Sequence, residues 1–416
     1  MQYTLIAPGT VNVTVGLPAS KSISNRALVL HALSKGSIRP ENLSDCDDTF
    51  VMIRALEGDL KEIDIMAAGT AMRFLTAYLS VTLGEHLITG TARMQQRPIR
   101  ILVEALQTLG ADITYEENEG YPPLRIVGGK LDGKVLQLPG NVSSQYISAL
   151  LMIAPTLPQG LQLELTGSII SRPYINLTLQ LMKAFGAEAG WSSDCSIVVN
   201  PGKYQDVPFL VENDWSAASY WYQILVLSAS RNKNREAVPQ ESIELTGLFP
   251  DSHQGDSRGA EVFAKLGIQT TYTSQGVRLT QQGEVVERLE EDMVDIPDLA
   301  QTFVVTCCLM GVPFRFTGLQ SLKIKETDRI NALQVELRKL GYVVLSEADS
   351  VLYWDGERCE PEVSPVIDTY EDHRMAMAFA PACIVMDRIQ IANPEVVSKS
   401  YPRYWEDLKL AGFVIK

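Results

Sequence analysis

Eight cations stand at or near predicted helix starts in this chain: Lys21, Arg26, Arg97, Arg172, Lys325, Arg329, Arg374 and Lys399. The free backbone N–H groups and the dipole of a helix start favour an anion. In Ser20-Lys21-Ser22-Ile23-Ser24-Asn25-Arg26, Ser22 and Arg26 are spaced i and i+4 and share a helical face. A capping serine followed by solvated charges would account for that segment equally well. Gly69-Thr70-Ala71-Met72-Arg73 offers a bare backbone that a ligand can approach. Arg93-Met94-Gln95-Gln96-Arg97 puts two guanidiniums just before Pro98. Ser143, Ser144 and Gln145 open a helix with two hydroxyls and an amide, a set suited to a phosphate or polyol. Ser171-Arg172 repeats the theme with a hydroxyl and a guanidinium.

The second half adds the acids. Asp298 sits at the mouth of the apolar helix that begins near Leu299, where capping alone would also explain it. Lys325-Glu326-Thr327-Asp328-Arg329 places Lys325, Asp328 and Arg329 at i, i+3 and i+4, which an exposed ion-pair face would also do. Asp372-His373-Arg374 starts another small-residue helix, and Lys399 precedes Pro402 at the last one. Arginine forks and lysine point charges suit a small, multiply anionic substrate. Carboxylates among them suit proton transfer. A phosphate-loop lysine motif and a dinucleotide glycine fingerprint are both missing. The four histidines, at 31, 86, 253 and 373, lack metal-ligand spacing. These residues predict an anion-binding, metal-free enzyme with paired carboxylates.

The elements that must position them are written as a repeat. An amphipathic stretch closes on glycine and leads into a β-like segment, ending at Gly58, Gly110, Gly186, Gly267, Gly341 and Gly412. Spacings from 52 (Gly58 to Gly110) to 81 residues (Gly186 to Gly267) leave room for a helix and three or four strands per unit. Six α/β units in 416 residues predict two domains of three. Short alternating pieces such as Leu161–Thr166 and Gly276–Thr280 predict sheets open to solvent on one face. Asn232–Ala237 is the best surface-loop candidate.

Composition narrows the class. With 36 Lys and Arg against 50 Asp and Glu, the net charge of −14 argues against nucleic-acid or anionic-membrane binding. The apolar runs near 147–157 and 303–314 fall short of the roughly 20 residues of a membrane span. The opening Met-Gln-Tyr-Thr-Leu-Ile-Ala-Pro resembles neither a secretory leader nor a transit peptide, which predicts a cytoplasmic protein. Six cysteines without CxxC spacing predict reduced thiols, with Cys307 and Cys308 acting as small hydrophobes.

In these motifs, and in their order along nearly the whole chain, the sequence closely resembles the 5-enolpyruvylshikimate-3-phosphate synthase family. The resemblance rests on Ser20–Arg26, Ala68–Arg73, Arg93–Pro98, Ser143-Ser144-Gln145, Ser171–Tyr174, Ile296-Pro297-Asp298, Lys325–Arg329, Asp372–Met377 and Lys399. It implies a two-domain α/β enolpyruvyl transferase-like fold, each domain three βαβαββ units, with the active site in the interdomain cleft. Residues 1–20 plus 213–416 would form the domain carrying the catalytic carboxylates, and 21–212 the shikimate 3-phosphate-binding domain. The implied reaction moves the enolpyruvyl group of phosphoenolpyruvate to the 5-hydroxyl of shikimate 3-phosphate, without cofactor or metal, in a cytoplasmic monomer.

By the same resemblance, Asp298, Glu326 and Lys21 would be catalytic. Shikimate 3-phosphate would meet Lys21, Ser22, Arg26, Ser143, Ser144, Gln145, Ser171, Arg172, Asp298 and Lys325. Phosphoenolpyruvate would meet Lys21, Gly69, Arg97, Gln145, Arg329, His373, Arg374 and Lys399. Three positions depart from the common pattern: Ala67 and Ser321 where asparagine is usual, and Phe74 where proline is common. Gly69 implies room for glyphosate, with Phe74 the residue that would disturb it. Two alternatives are a UDP-N-acetylglucosamine enolpyruvyl transferase, whose Gly-rich-loop cysteine has no counterpart here, and a non-catalytic anion-binding domain of the same fold.

Overall fold

A computed structural model describes residues 1–58, 60–232 and 241–416, with the backbone alone at Ile324. The predicted surface loop lies outside the described residues from Lys233 onward. The chain divides into two compact units, Met1–Pro18 with Glu212–Lys416, and Ala19–Val211.

Within Ala19–Val211 the repeat runs strand, helix, parallel strand, helix, then two strands that close the sheet antiparallel. One copy comprises Glu62–Asp64, helix Gly69–Val81, Gly84–Thr89, helix Arg100–Thr108, Asp112–Tyr115 and Leu124–Gly128. The next comprises Val135–Pro139, helix Ser144–Ile153, Leu161–Thr166, helix Arg172–Ala184, Ala189–Ser193 and Ser196–Val199. The third has helices Lys21–Ser34 and Asp47–Glu57, and among the described residues its extended segments meet in an isolated parallel bridge, Glu41 with Leu210.

Among its described residues the other unit holds three four-stranded sheets. One repeat contains Leu289–Asp292, helix Ala300–Met310, Phe314–Thr317, helix Arg329–Lys339, Leu345–Glu347 and Val351–Trp354. Another contains Val366–Ile367, helix His373–Phe379, Ile389–Ala392, helix Tyr404–Leu410 and Val414–Ile415, with Gln2–Ile6 inserted as an inner strand. The third begins at Asn12–Gly16 and continues with helix Trp215–Asn232, Ser242–Thr246, helix Gly259–Ala264, Ile268–Thr273 and Gly276–Gln281.

Helix chemistry explains the layering. In most repeats the first helix is apolar on nearly all sides and becomes core: Trp215–Asn232 buries Trp215 and everything from Ala217 to Ala229, whereas Lys21–Ser34 is half polar. The second helix is amphipathic, as in Arg100–Thr108, which buries Leu102, Val103, Ala105 and Leu106 and leaves Glu104 and Gln107 in water. Sheets such as Leu124–Gly128 alternate buried and exposed residues. Each unit has its own hydrophobic core. All six cysteines are free, with Cys307 and Cys308 sealed in the first of these cores. Among the described residues no helix is long and apolar enough to cross a membrane.

Five of the six repeat glycines take the left-handed backbone expected after a helix, with φ from 84° at Gly186 to 98° at Gly110. Gly58 does not: its φ is −97°. Glycine serves there for space, since a Cβ would stand 2.7 Å from the Arg54 carbonyl oxygen.

The two parallel strands of each repeat end where a helix begins, and open α/β folds collect ligand groups at such ends. Gly69, Ser144, Arg172, Asp298, Arg329, Arg374 and Lys399 all occupy such junctions.

Candidate active site

In the unit containing the carboxylates, Arg329 is the hub. It opens helix Arg329–Lys339 and is 1% exposed. Its Nε donates to Asp372 Oδ2 at 2.6 Å, its Nη1 to Asp298 Oδ1 at 3.1 Å and its Nη2 to Glu326 Oε2 at 2.8 Å. A planar guanidinium spreads its N–H groups over three nitrogens in a fixed fork, which lets it meet three separate carboxylates. Burial opposes its charge, but Asp372, Glu326 and Asp298 outweigh that and raise its affinity for the proton further.

Asp298 lies in the one-turn helix Pro297–Leu299 ahead of Ala300–Met310. Lys325 Nζ is 3.3 Å from Oδ1, and Arg374 Nη2 is 3.1 Å from Oδ2. Burial alone would raise its pKa, yet Arg374, Lys325 and Arg329 overcome it and hold the carboxyl well below the ordinary range. Arg374 also donates from Nη1 to the Asp298 carbonyl oxygen at 3.1 Å. Asp372, 0% exposed, caps helix His373–Phe379 by accepting from the Arg374 backbone N–H at 2.9 Å. His373 is buried, with Nδ1 3.9 Å from Asp372 Oδ1. Lys399 Nζ donates to the Glu371 carbonyl oxygen at 2.8 Å.

That carbonyl is presented by unusual backbone. Tyr370 and Glu371 are both left-handed, at φ 53° and 56°, immediately before the Asp372–Arg374 turn. Ser171 in the other unit is left-handed too, at 55°. Non-glycine residues held there store strain and gather at functional positions.

In Ala19–Val211, Lys21 begins helix Lys21–Ser34, and its Nζ is 3.3 Å from Asp48 Oδ2. Arg26 is 3% exposed, donating from Nε to Thr178 Oγ1 at 2.7 Å and from Nη2 to Ser148 Oγ at 3.1 Å, above the Phe74 ring. Burial pulls its pKa down to about 10. Ser143 caps helix Ser144–Ile153 by accepting from the Gln145 N–H, and Gln145 Nε2 donates to Thr70 Oγ1 at 3.1 Å. Gly69 lies against Arg97: an added Cβ would be 2.6 Å from Arg97 Nη1. Arg172 turns to its own hairpin, stacking 4.1 Å from the Trp191 ring and donating to the Asp194 carbonyl oxygen.

Within the first unit, Asp298, Lys325, Glu326, Arg329, His373 and Arg374 thus form one cluster drawn from two sheets, with Lys399 beside Glu371. Within the second, Gly69 and Arg97 are neighbours, and Gln145 reaches Thr70 in the Gly69 helix. Ser216, Asp256 and Asp48 were missed by sequence reasoning. Ser216 Oγ donates to Asp256 and lies 3.4 Å from Arg374 Nη2. The repeat itself held the signal: Ser216 and Asp256 stand at the two strand-to-helix junctions of the Gly267 copy.

The profile of the family described as EPSP synthase (3-phosphoshikimate 1-carboxyvinyltransferase) matches residues 6–61 and 58–408. Over 416 residues the chain is 67% identical to the 3-phosphoshikimate 1-carboxyvinyltransferase of Bacteroides fragilis, covering 100% of this chain and 99% of that protein. Its identity to the enzyme of the same name from Vibrio campbellii is 36% over 424 residues, covering 95% and 96%. Among solved structures, EPSP synthase from Acinetobacter baumannii superposes with a TM-score of 0.79 at 20% identity, covering 100% of both chains. The enolpyruvyl transferase NikO from Streptomyces tendae gives 0.72 at 15% identity, covering 100% and 98%. These two structural likenesses place the fold among the α/β enolpyruvyl transferases.

Proposed function

The chain belongs to the EPSP synthase (3-phosphoshikimate 1-carboxyvinyltransferase) family, and from that membership we propose how its own residues divide the reaction. The protein is a transferase that moves the enolpyruvyl group of phosphoenolpyruvate to the 5-hydroxyl of shikimate 3-phosphate and releases phosphate, in the shikimate pathway to chorismate and aromatic amino acids.

In our reading Asp298 takes the proton from the 5-hydroxyl as its oxygen attacks C2 of phosphoenolpyruvate, while Glu326, which enters the cycle as the protonated acid once substrate anions occupy Arg329, gives a proton to C3. The tetrahedral adduct then loses phosphate from C2 and returns a proton from C3 to Glu326, restoring the double bond, while the proton held by Asp298 leaves with the phosphate. Arg97, Gln145, Arg329, His373, Arg374, Lys399 and the backbone at Gly69 take the phosphoenolpyruvate anion. Ser22, Arg26, Ser143, Ser144, Gln145, Ser171, Arg172 and Lys325 take shikimate 3-phosphate with Asp298, and Lys21 touches both substrates.

The observation that carries this reading is that Lys325, Arg329 and Arg374 all converge on the Asp298 carboxylate, with Glu326 on the same Arg329. A carboxylate so strongly paired is ionised but weakly basic. Substrate anions that draw on those three cations weaken their hold, so the basicity of Asp298 rises when the hydroxyl arrives. Cations around the leaving phosphate stabilise the charge it develops.

We place the protein in the cytoplasm as a monomer that needs no metal and has no nucleic-acid or membrane partner. The test is phosphate release from phosphoenolpyruvate in the presence of chelator, with either shikimate 3-phosphate or UDP-N-acetylglucosamine as acceptor. Release with shikimate 3-phosphate alone is expected. Release with the sugar nucleotide, or loss of activity on chelation, would overturn the assignment, and silence from folded protein would favour a binding domain.

A further inference from the structure

We propose that Asp256, acting through the Ser216 hydroxyl, is a positioning residue that fixes the direction of the Arg374 guanidinium. The inference rests on the reading above, in which Arg374 binds phosphoenolpyruvate.

The three residues come from two sheets. Ser216 is in the first turn of helix Trp215–Asn232, and Asp256 is in the turn Gly255–Arg258 after strand Ser242–Thr246. Arg374 opens helix His373–Phe379, after strand Val366–Ile367 of another sheet. A serine hydroxyl has one hydrogen. In Ser216 that hydrogen goes to Asp256 Oδ2, so the oxygen lone pairs are left facing Arg374 Nη2 at 3.4 Å. The same Nη2 stands 3.1 Å from Asp298 Oδ2. One nitrogen is therefore gripped from two directions.

The second grip has a use that the first cannot serve. Asp298 changes charge in the reaction: once it takes the substrate's proton, its pull on Arg374 collapses. The Ser216–Asp256 pair takes no part in that transfer and keeps its hold throughout.

The pair is itself firmly placed. The Ser216 N–H donates to Asp214 Oδ1 at 2.7 Å, and Gln254, two residues before Asp256, accepts from the Trp215 N–H at 3.2 Å and donates to Glu212 Oε2 at 2.8 Å. Asp256 is 5% exposed. Burial and the charges of Asp298 and Asp214 raise its pKa, Arg374 and the Ser216 hydroxyl lower it, and the balance lies at about 6. It is mainly ionised at neutral pH, which makes it a strong acceptor for the Ser216 hydroxyl.

The experiment is steady-state kinetics, by phosphate release, on S216A, S216T, D256N and, as a control, R374Q. S216A and D256N should raise KM for phosphoenolpyruvate about tenfold and leave KM for shikimate 3-phosphate within about twofold. S216T, which keeps the hydroxyl, should restore the wild-type KM. A rise in both KM values together with a lowered melting temperature would mean that the pair merely supports the fold, and would overturn the proposal. So would unchanged KM values in S216A and D256N when R374Q raises KM for phosphoenolpyruvate. If R374Q itself leaves that KM unchanged, it is the placement of Arg374 on phosphoenolpyruvate that fails, and the inference with it.

Discussion

Arg329 Nε lies 2.6 Å from Asp372 Oδ2, with the arginine 1% and the aspartate 0% exposed. Two opposite charges are sealed together, and the rest of the guanidinium is spent on Asp298 and Glu326. Removing one member of a buried pair leaves an uncompensated charge, which costs about 3 kcal/mol or more. D372A should therefore lose about that much stability in urea unfolding. R329K should lose less, because it keeps the charge. Its three N–H groups radiate from one nitrogen, however, and cannot span carboxylates that Arg329 meets from three separate nitrogens, so its kcat/KM should fall about 100-fold. Equal activity in R329K and wild type would show that charge alone, not the fork, organises the acids.

Asp298 has a defined pH signature. Its carboxyl is held well below the ordinary range, so its charge stabilises the fold above about pH 4 and that contribution is lost as the pH falls through the lower folded value. D298N should melt below wild type at pH 7, and the gap should close under acid. With Asp298 as the base proposed above, D298N should also lose about 1000-fold in kcat. A gap in melting temperature that stays constant from pH 7 to pH 3 would mean that the charge of Asp298 contributes nothing to stability.

Gly69 is confined by Arg97, with only 2.6 Å between a would-be Cβ and Nη1. G69A must push the guanidinium aside, which should raise KM for phosphoenolpyruvate about tenfold while kcat changes less. Phe74, whose departure from the common proline bears on this loop, is fully buried beneath Arg26. It fills core rather than the space beside Gly69, so wild type should be inhibited by glyphosate below about millimolar and G69A should resist it. Inhibition of both proteins at the same concentration would remove Gly69 from the binding surface.

How much of this was legible in the sequence depended on whether a residue declared itself by neighbours in the chain. Lys325 and Arg329 share one helical face by spacing, and His373 with Arg374 is a dipeptide at a helix start, so local pattern pointed to them; Glu326 was singled out only by the family resemblance. The repeat was legible through its terminal glycines because a helix ending in a left-handed turn needs that residue; five of the six behave so. Gly58 misled because glycine also serves close approach, which spacing does not distinguish. Asp372 was visible only as an acid at a helix start; its pairing with Arg329 crosses 43 residues and two sheets. Asp256 and Ser216 stand 40 residues apart; the repeat could mark their two junctions, but only the fold joins the side chains. The orientation of Arg172 toward Trp191 likewise depends on a hairpin contact that no local pattern encodes.

Asp256 provides the last pH test, with the sign opposite to that of Asp298. Burial first, and the charge of Asp298 second, bring its carboxyl up to about 6. The unfolded chain releases that proton near pH 4, two units earlier, so the fold loses stability as the pH climbs from about 4 to about 6 and loses no more beyond. Two units correspond to about 3 kcal/mol. Asparagine carries no such cost. The stability of D256N relative to wild type should therefore grow by about 3 kcal/mol between pH 4 and pH 7 in urea titrations. A difference that is flat with pH would show that Asp256 titrates as an ordinary carboxylate. Growth of the predicted size, in a variant that also binds phosphoenolpyruvate less tightly, would mean that the fold keeps a costly buried charge because Arg374 needs it, the kind of trade of stability for function found where active sites are strained.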